Sequence, residues 1–269
     1  MPTLLFPFTA DLLALSHVLE SFNMKTIIIT GAASGIGAAI AERLATPKTN
    51  LLLHTGSNAE GLKAVATACE SAGSHVQTCC GDLADPESTG RLAALTGEHL
   101  DGLVLNAGFP DFRGFNDLDG EGMGKSIDVI ANANYTLLHA LRPSLLANSP
   151  GKVIGISSFL AHKFRIGGYV VPASATAKAA LEAMLLSFAA ENAPDGLCAN
   201  VIVPGYIKKN APDHTPPDEA TLQRIIDRIP AGRLGLPNEV ADLAAFLLSK
   251  QANYITGQRI HIDGGLLLQ

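Results

Sequence analysis

Short apolar runs alternate along most of the chain with segments in which apolar residues recur every three or four positions. The runs predicted to be β-strands lie in KTIIIT, NLLLHT, HVQTCCGD, DGLVLNAG, GKVIGISS, LCANVIVPG and GQRIHIDGG. The segments between them have the spacing of helices that bury one face. Strands that alternate with helices predict right-handed βαβ units and a parallel sheet. The pattern therefore indicates an α/β fold with about seven strands, in which a long helix covers about Ala175 to Glu191.

No repeat, linker or low-complexity segment divides residues 24–269, which are predicted to form a single domain. Residues 1–23 form an N-terminal extension that is apolar and carries no Lys or Arg. It therefore lacks the basic region of a secretory signal. Two interpretations stay open. The functional chain begins at Met24, or Thr9 caps a short amphipathic helix that packs on the domain, a partner or a membrane surface.

Charge and cysteine content restrict the class of partner. The chain has 19 Lys and Arg against 25 Asp and Glu, a net charge of −6. This acidic balance argues against nucleic acid, whose phosphates need a basic patch. No apolar run reaches membrane-spanning length. Cys69, Cys79, Cys80 and Cys198 show no CxxC spacing and predict reduced thiols in a cytoplasmic protein, with no disulfide or metal site.

The strongest local chemistry follows the first predicted strand, in IIITGAASGIGAAI. Gly31, Gly35 and Gly37 lie there between a strand and a helix. Glycines at such a turn allow the backbone to approach a pyrophosphate at the helix N-terminus. The spacing is G-x-x-x-G-x-G, and alone it is also compatible with an ordinary strand–helix turn. Its place after the first strand favours a dinucleotide site.

TGAASGIG resembles the nucleotide-binding signature of the short-chain dehydrogenases/reductases. Four further segments resemble that family in its own order: GDLADPES, LNAG, NVIVPGYI and RIPAGRLGLPNEVADLAAFLLSKQANYITGQRIHIDGG. The resemblance extends from about Lys25 to the C-terminus. It implies a Rossmann-like, doubly wound parallel sheet with helices on both faces and a ligand crevice at the carboxyl ends of the strands. It also implies a small-molecule substrate, a substrate loop near 207–220, and a homodimer or homotetramer formed through two long helices.

The resemblance implies that a set of residues binds a nicotinamide dinucleotide. They are Gly31, Ser34, Gly35, Ile36, Gly37, Ser57, Asp82, Leu83, Asn106, Ala107, Gly108, Lys178, Pro204, Gly205 and Ile207. No carboxylate lies between His54 and Asn58, where an acid would bind the ribose 2′-hydroxyl of NAD. The polar residues there, His54, Thr55, Ser57 and Asn58, can donate hydrogen bonds to a 2′-phosphate. NADP is therefore expected as the preferred cofactor, with NAD as the alternative because no Arg accompanies them.

The resemblance is incomplete at the reaction centre. In the family, a Ser after the fifth strand, a Tyr and a Lys four residues later transfer the proton, and an Asn on the preceding helix assists. Ser158 and Lys178 match this pattern, with Ser157 as the alternative register. Ser174 stands at the Tyr position and Ile130 at the Asn position. The predicted catalytic set is therefore Ser158, Ser174 and Lys178.

A serine hydroxyl is a much weaker acid than a phenol, so another group is a candidate proton donor. His162 and Tyr169 lie in the segment that precedes Ser174. Lys209 also stands where the family has a Thr. Three hypotheses follow: an oxidoreductase acting on a carbonyl or secondary alcohol with altered acid–base groups, a nucleotide-binding protein with little redox activity, and a lyase or isomerase. The first predicts that Ser174→Tyr raises a weak native reductase activity.

Overall fold

Seven parallel strands form one sheet in the order β3-β2-β1-β4-β5-β6-β7. The computed structural model describes residues 24–147, 151–165, 170–208 and 218–268. The strands are β1 Lys25–Ile29, β2 Thr49–Thr55, β3 His75–Cys80, β4 Gly102–Leu105, β5 Lys152–Ile156, β6 Cys198–Pro204 and β7 Arg259–Ile262. The order reverses between β1 and β4, which is the switch point where doubly wound sheets bind ligands. The predicted fold class is confirmed.

Helices cover both faces of the sheet. They are α1 Gly35–Leu44, α2 Ala59–Ser71, α3 Pro86–Ala94, α4 Gly120–Ile127, α5 Ala133–Ala147, α6 Pro172–Asn192, α7 Glu219–Ile226 and α8 Pro237–Leu247. A five-residue π-helical segment, Asp128–Asn132, joins α4 to α5. Such segments are rare and often lie at functional sites. Ile130, at its centre, is fully buried.

Successive strand residues point into opposite cores, as the period of two requires. Ile27 and Ile29 of β1 pack with the helices α1, α2 and α8. Ile28, between them, packs with α3, α5 and α6 on the other face. Both faces of the central strands are therefore buried, which explains why their sequences are continuously apolar.

Helix α6 begins three residues earlier than the apolar pattern predicts, at Pro172 instead of Ala175. Proline suits a first helical position because its fixed φ is helical and its missing N–H would have no intrahelical partner. The earlier start places Ser174 inside the first turn. The extension 1–23, Tyr169 and residues 209–217 of the predicted substrate loop lie outside the described residues.

Candidate active site

The three glycines after β1 have different structural roles. Gly31 has φ +66°, and a β-carbon added there would lie 2.9 Å from the Ala107 Cα. A β-carbon at Gly37 would collide with the Gly31 carbonyl oxygen. Gly35 has φ +57° and open space around its absent side chain. Gly31 and Gly37 therefore close the turn against its neighbours, whereas Gly35 leaves the N-terminus of α1 accessible.

Two polar side chains lock this turn. The Asn106 side-chain amide donates to the carbonyl oxygens of Thr30, at 2.9 Å, and Gly31, at 3.0 Å. The buried Thr30 hydroxyl accepts hydrogen bonds from the backbone N–H groups of Asn106, at 2.9 Å, and Ala107, at 3.0 Å. Asn106, predicted as a cofactor residue, therefore also shapes the turn. Thr30 was not among the predicted residues, and its signal in the sequence is a hydroxyl-bearing residue directly before Gly31.

The segment after β2 presents one freely exposed hydroxyl. Ser57 is exposed, and the Asn58 side-chain oxygen caps α2 by accepting from the Gly61 N–H at 2.9 Å. The His54 ring is buried, and its Nε2 lies 2.9 Å from the Gly81 carbonyl oxygen. Burial lowers the pKa of His54 below its usual value. The geometry therefore leaves the exposed side chains of Ser57 and Asn58, and not the enclosed His54 ring, as the groups that can meet a phosphate here.

The remaining predicted cofactor residues lie at the same edge of the sheet. Asp82 follows β3 and its carboxylate accepts from the Ala84 N–H at 2.9 Å, while Leu83 is buried. Gly205 follows β6, and a β-carbon added there would lie 2.7 Å from the Asp263 Cα. Ile207 pairs with Gly235 in an isolated bridge. Parallel strands bring these separate segments together because their carboxyl ends share one edge.

Lys178 projects from α6 toward the carboxyl end of β5. Its ammonium group donates to the Ile156 carbonyl oxygen at 2.6 Å. A β-carbon added at Gly108 would lie 3.5 Å from the Lys178 Nζ and 3.3 Å from the Ile130 side chain. Burial of the ammonium group lowers the pKa of Lys178 to about 8, although the charge of Glu182 opposes this shift. Lys178 therefore has a pKa near the operating range of a general acid.

Ser174 lies one helical turn from Lys178 and is buried. Its hydroxyl accepts from the Asp111 N–H at 2.8 Å and is 3.3 Å from the Asp111 carbonyl oxygen. The Asp111 carboxylate pairs with Arg113 at 2.7 Å, and the hydrogen bonds from Arg113 lower the pKa of Asp111. The Ser174 hydroxyl is thus engaged with the backbone of the loop that follows β4.

The two serines after β5 differ in accessibility. Ser157 is buried and its hydroxyl bonds the Glu182 carboxylate. Ser158 is partly exposed, and its hydroxyl accepts from the Leu160 N–H at 3.2 Å. The geometry favours Ser158 over Ser157 as the serine that can reach a substrate oxygen.

His162 is directed toward Glu182. Glu182 lies on α6, one turn from Lys178 and two turns from Ser174. Its Nε2 lies 3.0 Å from the Glu182 Oε1, and its ring meets the His261 ring edge to face at 4.9 Å. This placement gives no support to His162 as a substitute proton donor, and Tyr169 lies outside the described residues.

Within the described ranges, no group of His, Cys, Asp and Glu is arranged to hold a metal ion. No helix in that part of the chain is long and apolar enough to cross a membrane.

Ser174→Ala tests whether the Ser174 hydroxyl transfers a proton or only fastens the Asp111 loop. Because both of its contacts are to backbone atoms, we expect the variant to lose about 1 kcal/mol of unfolding free energy. We expect kcat for a reductase substrate to fall by less than about tenfold, whereas loss of a general acid costs about 100-fold or more. Urea unfolding and steady-state kinetics measure the two effects. A 100-fold fall in kcat with unchanged stability would make Ser174 the acid.

Comparison with known proteins covers nearly the whole chain. A family model described as Enoyl-(Acyl carrier protein) reductase matches residues 31–267. A 3-oxoacyl-(acyl-carrier-protein) reductase of Rickettsia felis is 36% identical, over 91% of this chain and 97% of its own length. An uncharacterized oxidoreductase of Bacillus subtilis is 33% identical, over 90% of this chain and 98% of its own. The structure of L-sorbose reductase from Gluconobacter frateurii, complexed with NADPH and L-sorbose, has a TM-score of 0.83 at 27% identity and covers 92% of this chain and 98% of that one.

Proposed function

Since the chain belongs to the short-chain dehydrogenase/reductase family, we propose that it is an NADP(H)-dependent oxidoreductase that interconverts a small carbonyl compound and its secondary alcohol. One observation carries the proposal: the open N-terminus of α1 at Gly35 and the Lys178 ammonium group lie at the same edge of the sheet. The similar proteins are named as reductases or as an oxidoreductase. This favours redox activity over the sensor and the lyase or isomerase hypotheses.

The backbone around Gly35 fits a dinucleotide phosphate. The Ser34 side chain makes no hydrogen bond that would cap α1. The first N–H groups of the helix therefore remain for another acceptor, and the helix dipole favours an anion there. The space around Gly35 would be reduced by any β-carbon, so glycine at this position suits close approach of a phosphate.

A bound nicotinamide dinucleotide supplies or accepts the hydride in this chemistry. Ser158 offers a partly exposed hydroxyl that can hydrogen-bond the substrate oxygen. Lys178 holds a proton on an ammonium group whose pKa is about 8. We therefore assign Lys178 as the group that gives a proton to the alkoxide oxygen during reduction and removes one from the alcohol during oxidation.

Cofactor preference provides the experiment. We expect the wild-type protein to bind NADPH more tightly than NADH, because no carboxylate from His54 to Asn58 would repel the 2′-phosphate. Ser57→Asp places a like charge there and should weaken NADPH binding at least about tenfold, or ~1.4 kcal/mol. Fluorescence titration with each nucleotide measures both effects, and a panel of carbonyl substrates followed at 340 nm tests turnover.

The neutral variant Ser57→Asn is the matched control and should keep the NADPH preference. A tenfold preference of the wild-type protein for NADH would reject the assignment of NADP(H). Binding of both nucleotides without turnover of any carbonyl or alcohol would instead favour the hypothesis of a nucleotide-binding protein with little redox activity.

We also propose a homodimer or homotetramer formed through α5 and α6. Tyr135 on α5 is 61% exposed and stacks on His139, and Met184 and Phe188 on α6 are only partly buried. A second copy would cover this apolar surface. Light scattering, which measures the oligomeric state, tests this proposal.

The free cysteines among the described residues favour a reducing, cytoplasmic location.

A further inference from the structure

The buried Glu182 carboxylate contacts the segment that carries the candidate active-site residue Ser158. The Glu182 side chain on α6 is only 4% exposed. It contacts the Ser157 hydroxyl, the His162 Nε2 at 3.0 Å and the Arg259 Nε at 2.8 Å. A buried charge is unfavourable unless several donors compensate it. These donors come from the end of β5, the segment after it, and β7, so Glu182 joins three elements to α6.

The position of Glu182 relates it to Lys178. Residues four apart lie on the same helix face, so Glu182 is one turn of α6 from Lys178. The Glu182 charge raises the pKa of Lys178 against the larger effect of burial, which lowers it. The other charged or titratable groups that face the pair are His162 after β5, and Arg259 and His261 on β7. Glu182 is the only acid in this described cluster.

We propose that Glu182 is a positioning residue of the active site, which fixes the Ser157–Ser158 segment against α6 and places a negative charge one helical turn from Lys178. The Ser157 hydroxyl is its direct link to the peptide that carries Ser158. The charge on Glu182 is its link to Lys178. The inference rests on the proposed function only in the assignment of proton transfer to Lys178.

Glu182→Gln tests the link to Lys178, since glutamine keeps the size of the side chain and removes its charge. We expect the pKa of Lys178 to fall below about 8, by roughly one unit for a nearby opposite charge. Lysine labelled with ¹³C at Cε and assigned with Lys178→Met reports this pKa by NMR. Reductase activity requires the ammonium form, so its alkaline decline should move to lower pH by the same amount.

Arg259→Lys is the matched control. It disturbs the same hydrogen-bond network and conserves its charge, so it should lower stability while the pKa of Lys178 stays unchanged. A merely structural role for Glu182 predicts instead that both variants lose stability and that neither shifts the Lys178 titration. That result would overturn the proposal.

Arg259→Gln provides a second test should Glu182→Gln not fold. It leaves the carboxylate and removes the opposing cation, so the Lys178 titration should move to higher pH; a downward shift or no shift would contradict the proposal. Because NMR detects the titration without turnover, the experiment separates the two claims. A Glu182-dependent shift without NADPH-dependent activity would reject the proposed function alone, whereas activity without the shift would reject this inference alone.

Discussion

Replacing Lys178 by methionine should lower NADPH-dependent carbonyl reduction by about 100-fold or more, the usual contribution of a general acid. Methionine fills a similar volume but has no proton to donate. The variant loses the hydrogen bond to the Ile156 carbonyl oxygen, so a stability loss of only about 1 kcal/mol is expected. Steady-state kinetics at pH 7 and urea unfolding separate the catalytic effect from the effect on stability.

The control for this substitution is Lys63→Met, which changes an exposed lysine on α2. It should leave both kcat and the unfolding free energy nearly unchanged. In the wild-type protein, reductase activity should decline as the pH rises through about 8, because Lys178 then loses its proton. If Lys178→Met retains wild-type kcat and the same alkaline decline, another group donates the proton.

Alanine substitutions at Gly35 and Gly37 should distinguish an effect on folding from an effect on cofactor binding. Gly37→Ala forces a β-carbon against the Gly31 carbonyl oxygen, so it should lower the unfolding free energy by about 3 kcal/mol. In Gly35→Ala the added β-carbon has no atom within 4 Å. Only the φ of +57° disfavours alanine at this position, which should lower the unfolding free energy by about 1–2 kcal/mol. We expect Gly35→Ala to remain folded and to bind NADPH at least about tenfold more weakly, because its β-carbon would occupy the space that we propose for the phosphate.

Gly90→Ala is the control for glycine replacement, since Gly90 lies in α3 with no atom within 4 Å of an added β-carbon. It should bind NADPH normally and be as stable as the wild type or slightly more stable. Thermal unfolding and fluorescence titration measure stability and affinity for each variant. Normal NADPH affinity in Gly35→Ala would place the phosphate elsewhere.

The sequence predicted the central strands well because they are buried on both faces and read as apolar runs. The predicted family is confirmed, and the glycine turn lies at the predicted strand end. The motif did not predict that Gly37 packs against Gly31 while Gly35 faces open space. Gly31 and Gly37 also lie against Ala107 and Asn106, which follow β4, a strand more than 60 residues distant along the chain.

The reaction centre was less predictable because its contacts are long-range. The sequence places Ser174 and Lys178 on one helix face, but the contact between Ser174 and Asp111 spans 63 residues. Glu182 in AALEAM resembles an ordinary exposed helix residue. In the fold it is buried, and its partner Arg259 lies 77 residues away along the chain. The available signal was its spacing of one turn from Lys178, and spacing alone does not reveal burial.

The most direct measurement is a crystal structure of the protein with NADP⁺. It should place the pyrophosphate at the backbone N–H groups that follow Gly35, the 2′-phosphate beside Ser57, and the nicotinamide ribose within about 3 Å of the Lys178 Nζ. A dinucleotide bound at another edge of the sheet, or one whose nicotinamide ribose lies away from Lys178, would contradict the assignment of this site to NADP(H)-dependent oxidoreduction.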